Sequence, residues 1–136
     1  MANRREHRFK VTRNAGAAIA RRRIVKYGAG DELVIQAAAA TDLLIGVSDD
    51  AGDIPAPVGT DYYRVDVIDD GYALVDCGGT VTRGQFVTAD ANGKAVPAAP
   101  AAGVNVQYVG QAHSSGVSGG VISVKIGPGV IQGAAT

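Results

Sequence analysis

The sequence predicts an all-β protein, a small barrel or sandwich, on three observations. Short aliphatic and β-branched runs recur along the chain. Glycine-, asparagine- and aspartate-rich turns separate them at short spacing, which is the pattern of many short strands closing on one core. Hydrophobic residues make up 46% but aromatics only 5%, with no Trp and 19 Gly, so the core is aliphatic and the turns are tight. At 136 residues a single domain is the expectation, with a core of useful size.

The strands read in order. Ile24-Val25-Lys26-Tyr27 ends at Gly28-Ala29-Gly30-Asp31, and Leu33-Val34-Ile35 follows. Leu43-Leu44-Ile45-Gly46-Val47 is the next apolar run, before a loop over 48–61 rich in Asp, Gly and Pro. Tyr63, Val65 and Val67 alternate with Arg64 and Asp66, the period of a half-buried strand. Asp69-Asp70-Gly71 reads as a turn, after which Tyr72-Ala73-Leu74-Val75 resumes. Phe86-Val87-Thr88 and Ala95-Val96 flank Asn92-Gly93, and Asn-Gly is the strongest short hairpin signal when both turn residues take positive φ. Val104 to Val109 and Val121 to Ile126 complete the set. The alanine tract at 37–40 is too short for an isolated helix, leaving one short helix or turn near 37–42.

The two halves of this body echo one another. Val25 and Val87 are 62 positions apart, Gly46 and Gly110 are 64, and Val65 and Val124 are 59. Each half places a hairpin, an Ala-rich loop, a strand with a central glycine, and a last Val-rich strand in the same order. The expectation is two pseudo-repeated hairpin units sharing one core.

Charge divides the chain differently. Residues 1–26 carry nine Lys and Arg against Glu6 alone, a net +8; the remainder carries four against twelve acids, a net −8. Residues 1–20 show little organised periodicity. Ordering twenty such residues costs on the order of 20–40 kcal/mol of backbone entropy, more than Phe9, Val11 and Ile19 return. The expected organisation is a basic, extended N-terminal arm over 1–22 that orders only on a partner, a β-rich body over 23–130, and a C-terminal tail over 131–136.

Catalytic chemistry finds little footing. His7 lies in the arm. His113, in Ala112-His113-Ser114-Ser115, has serine neighbours that point to the other face of a strand. The acids of Asp49-Asp50-Ala51-Gly52-Asp53 lack the alternation and closing Glu of a calcium loop, and Asp66, Asp69 and Asp70 read as solvated turn acids. Cys77 stands alone, so neither an intramolecular disulfide nor a cysteine zinc site is available. No apolar stretch reaches the ~20 residues of a membrane span, and the charged N-terminus lacks the 7–15-residue apolar stretch of a secretory signal. The reading is non-enzymatic, with no catalytic, cofactor or metal residues. Nucleic acid is disfavoured as a partner, because the body is acidic and the arm has one stacking residue, Phe9.

One long stretch carries a family likeness. Asp70-Gly71-Tyr72-Ala73-Leu74-Val75-Asp76-Cys77 leads into Gly78-Gly79, and then Arg83-Gly84-Gln85-Phe86-Val87-Thr88-Ala89-Asp90-Ala91-Asn92-Gly93-Lys94-Ala95-Val96 forms a hairpin. Together with Val109-Gly110-Gln111-Ala112 and Ser123-Val124-Lys125-Ile126-Gly127-Pro128-Gly129, it resembles the capsid decoration, or cement, proteins of tailed bacteriophages over most of residues 9–129. The resemblance implies a small β-barrel or β-tulip-like body, a homotrimer, seated on the outer surface of a phage head after synthesis in the host cytoplasm. There it would bind the major capsid protein and bridge its subunits. On that reading the capsid contacts fall on the arm, at Arg4, Arg5, Arg8, Phe9, Lys10, Val11 and Arg13. A tail or baseplate β-module and a nucleic-acid-binding protein are the alternatives.

Overall fold

A computed structural model describes residues 8–134 as strands and loops. Nine strands follow one another: β1 (Arg8–Ala15), β2 (Ile24–Tyr27), β3 (Leu33–Gln36), β4 (Leu44–Ser48), β5 (Arg64–Asp76), β6 (Phe86–Ala89), β7 (Ala95–Pro97), β8 (Asn105–Ala112) and β9 (Val121–Gln132). They form one sheet in the order β1-β3-β2-β4-β5-β9-β8-β6-β7, and β1 also pairs with β5. That extra pairing closes β1, β3, β2, β4 and β5 into a five-stranded barrel, with the other strands outside it. The all-β expectation holds, and the 37–42 segment forms a turn.

The internal echo is a duplication of the whole barrel pattern. In the first unit β2 pairs with both β3 and β4, and β4 pairs with β5. In the second, β6 pairs with both β7 and β8, and β8 pairs with β9. Val25 faces Gly46 as Val87 faces Gly110. The Ala37 amide donates to the Ile24 carbonyl at 2.8 Å, as Ala98 does to Phe86 at 2.8 Å. The bridge between Ile19 and Ile54 recurs between Val81 and Gly116. The equivalent of β1 is the second half of β5. Ala15 bridges Val34 in parallel, and Cys77 bridges Ala95 in the same way. The repeat is thus longer than two hairpins and starts at β1.

The register also corrects the alignment of the last strands. Val47 faces Ile68 and Gln111 faces Lys125, so Ile68 and Lys125 are equivalent. Val65 therefore matches Ile122, two positions from the expected match to Val124. The misalignment came from matching Val-x-Val to Val-x-Ile, a pattern that period-2 alternation repeats along any such strand.

Two further expectations change. Asp69-Asp70-Gly71 is not a turn. β5 runs straight through it, pairing with β1 up to Gly71 and with β9 from Gly71 onward. Gly71, at φ 86°, supplies the bend where the strand passes between partners. At Asn92-Gly93 only Gly93 has positive φ, at 70°. Asp90 closes this loop through its side chain, accepting from the Asn92 and Lys94 amides at 2.8 and 2.9 Å.

The arm expectation requires the largest correction. Arg8–Ala15 is built into the barrel, paired with β5 along its length and with β3 at its end. Ala15 and Ile19 are fully buried. The entropy estimate counted only apolar burial by Phe9, Val11 and Ile19. A strand inserted between two others also gains two ladders of backbone hydrogen bonds, which composition does not show.

Two apolar clusters result. Ala15, Ile19, Val25, Val34, Val65 and Val67 fill the first barrel. Their equivalents in the second unit, Cys77, Val81, Val87, Ala95, Ile122 and Val124, join a larger cluster. That cluster also takes in Ile24, Ala37, Leu44, Val47 and Ile68 from the outer face of the first barrel. The outer face of unit one is thus buried against unit two. Asp76 reinforces the seam, accepting from Arg22 Nε at 2.8 Å and Arg23 Nε at 3.3 Å.

Candidate interaction surface

β1 positions the residues expected to make contacts. Ala15 is fully buried at its end, Val11 is half-buried, and Phe9 is 63% exposed at the strand's start. Arg8 pairs through its backbone with Gly71. Arg4 and Arg5 lie outside the described residues. The body itself partners the remaining basic groups. Lys10 Nζ lies 2.6 Å from Asp49 Oδ2, and Arg13 Nη1 lies 3.8 Å from Glu32. Thr12 Oγ1 donates to Asp66 at 2.9 Å. Lys26 pairs with Asp42 at 3.1 Å, and the Arg21 amide donates to Asp53 at 2.9 Å. Lys10, Arg13, Arg22, Arg23 and Lys26 thus each meet an acidic side chain of the body. Sequence spacing could not show this, since Lys10 and Asp49 are far apart in the chain.

Beside β1 lies a cleft of about 490 Å³ lined by Asp49, Asp53, Ile54, Arg64, Val65 and Asp66. Its carboxylates are engaged by Lys10, Thr12 and backbone amides. Among the described residues no three His, Cys, Asp or Glu side chains come together as a metal-holding group. His113 packs edge-on against Tyr72, with ring centroids 5.0 Å apart. Ser114 Oγ accepts from the Ser123 amide and Ser115 Oγ from the Arg83 amide, at 2.9 and 2.8 Å. These serines cap loops. Cys77 is buried, and burial together with nearby Asp76 pushes its thiol up. No helix among the described residues is long and apolar enough to cross a membrane.

Two of the paired acids make stability pH-dependent. Burial alone would raise Asp42 and Asp49. For Asp42 the Ala38 amide, Lys26 and the Ala39 amide outweigh it, and for Asp49 Lys10 and the Asp50 amide do so. Both carboxyls are held below the ordinary carboxylate value. Their contribution is present above about pH 4 and is lost as acid titrates them through the lowered value. Urea unfolding is therefore expected to show stability falling below about pH 4. Lys10→Met with Lys26→Met should flatten that fall; an unchanged slope would show that these pairs do not set it.

Neither the family models nor the curated proteins compared with this chain give a match. The solved structures do. The N-terminal base of the head fiber gp8.5 of bacteriophage phi29 superposes with a TM-score of 0.64 at 20% identity, over 89% of this chain and 95% of that one. At that identity the likeness establishes a shared fold. The class is that of all-β proteins built on a closed five-stranded barrel with further strands outside it, and one solved structure sharing this fold is a phage head fiber base.

Proposed function

We propose that this chain is a phage head decoration, or cement, protein, a non-enzymatic homotrimer that binds the outer capsid surface and bridges major capsid protein subunits. The observation that carries this reading is the fold shared with a phage head fiber base across nearly the whole of both chains. The decoration-protein likeness of residues 70–96 supports it independently. Arg4, Arg5, Arg8, Phe9, Lys10, Val11 and Arg13 make the capsid contact in this reading. Phe9 offers an exposed aromatic anchor. The exposed ion pairs of Lys10 and Arg13 are of the kind worth about 0–1 kcal/mol, so capsid carboxylates can compete for both cations. The acidic excess of residues 27–136, four Lys and Arg against twelve acids, and the single stacking residue Phe9 near the N-terminus argue against a nucleic-acid role.

Truncation tests this. Removing residues 2–20 would take Ala15 and Ile19 out of the barrel, so the informative deletion is 2–7 with Phe9→Ala. This variant is expected to fold, trimerise and lose protection of heads against heat. Full binding to heads by the variant would overturn the contact assignment.

A further inference from the structure

The duplication leaves one seam filled and its equivalent open. In the first unit, Ile24, Leu44, Val47 and Ile68 form an outer face that the second unit covers. The turn at 90–94 reaches over its edge. The Gly93 carbonyl accepts from the Ile24 amide at 2.8 Å, and the Asn92 carbonyl accepts from Gln36 Nε2 at 2.9 Å and Arg23 Nη1 at 3.1 Å. The register makes Phe86, Tyr108, Gln111 and Lys125 the same positions in the second unit. There the face is uncovered. Phe86 is 37% exposed, Gln111 and Lys125 are exposed, and the Phe86 and Tyr108 rings pack 4.6 Å apart. A shallow hollow runs between Phe86, Tyr108, Lys125 and Gly127. No described residue of the chain supplies Phe86 with a counterpart of the Gly93 carbonyl.

We infer that this face is a self-association surface, and that its occupant is the first barrel of a second copy of the chain, led by its turn at 28–32. Two observations select that occupant. The 28–32 turn is the counterpart of the 90–94 turn: Gly28 donates to the Leu33 carbonyl as Asp90 does to Lys94, at 2.8 and 2.9 Å. It is also complementary in charge. Asp31 and Glu32 are exposed on it, while Lys125 lies on the open face and Arg83 lines a hollow beside Gln111 of that face. The contact sets the 28–32 turn of one copy against the second unit of another, as the 90–94 turn sits against the first unit within one copy. It is head-to-tail, joining two different surfaces, and so closes into a ring where the rotation permits. The assignment rests on the proposed self-association but not on attachment to a shell.

The test uses the full chain. Sedimentation over a range of concentrations measures association for the wild type, Phe86→Glu, Lys125→Glu, and Lys125→Glu combined with Asp31→Lys and Glu32→Lys. Circular dichroism checks each fold. Both single variants are expected to weaken association at least tenfold, with the charge-swapped combination recovering most of it. Lys125 is exposed, so this arm decides the matter even if Phe86→Glu does not fold. A wild type that associates while Lys125→Glu and its charge swap change nothing overturns this surface and leaves self-association standing. A wild type that stays monomeric throughout overturns both.

Discussion

Gly46→Ala and Gly110→Ala are each expected to destabilise the protein by about 3 kcal/mol or more, at the upper end of overpacking costs. Neither glycine has positive φ, so backbone strain is not the cause. The cause is contact. A β-carbon on Gly46 would drive into the Ile68 carbonyl and the Asp69 Cα, and one on Gly110 into the Lys125 carbonyl. These neighbours are backbone in the adjacent strand, so relief requires moving the ladder. Both glycines sit beside register shifts, where β4 and β8 bend and the strands come close. Gly52 and Gly127 provide the control, since a β-carbon there meets nothing within 4 Å. Their alanine variants should lie within about 0.5 kcal/mol of wild type, or gain slightly from reduced unfolded-state entropy. Thermal unfolding reads the difference as a melting temperature lowered by roughly 10 °C for the first pair. Equal effects at all four positions would refute the close-approach explanation.

Ile68→Ala and Lys125→Ala should differ sharply although the two residues hold equivalent places. Ile68 is 2% exposed in the seam between units, and truncating it leaves a cavity, at a cost of about 2–5 kcal/mol. Lys125 is exposed, and its truncation should shift monomer stability by no more than about 0.5 kcal/mol. Chemical unfolding at concentrations low enough to exclude association separates the two. Comparable losses at both sites would mean that the second unit's face is already packed within the single chain, and the asymmetry between the units would not hold.

Most strands were legible because alternation and turn residues are local. Ile24–Tyr27, Leu33–Gln36, Phe86–Ala89 and Ala95–Pro97 lie where their β-branched runs and flanking glycines place them. The duplication was legible in outline through Val25 and Val87, and Gly46 and Gly110. Its true extent was not, because β1 and the second half of β5 share little beyond small and aliphatic residues. Local signals also failed at Asp69-Asp70-Gly71. A turn-forming triplet was carried through as strand because β1 and β9 hold it from successive sides.

The sequence alone determined the all-β class, the aliphatic core, most strand positions and the repeated order of elements. These follow from residue-by-residue propensity and from side-chain alternation, which act over a few positions. Tertiary structure alone decided that β1 closes a barrel, that Lys10, Arg13 and Lys26 meet acids of the body, and that one unit's outer face is buried while its twin is open. Those outcomes depend on pairings between segments far apart in the chain. Each is settled by backbone ladders and packing geometry, which the composition of neither segment records.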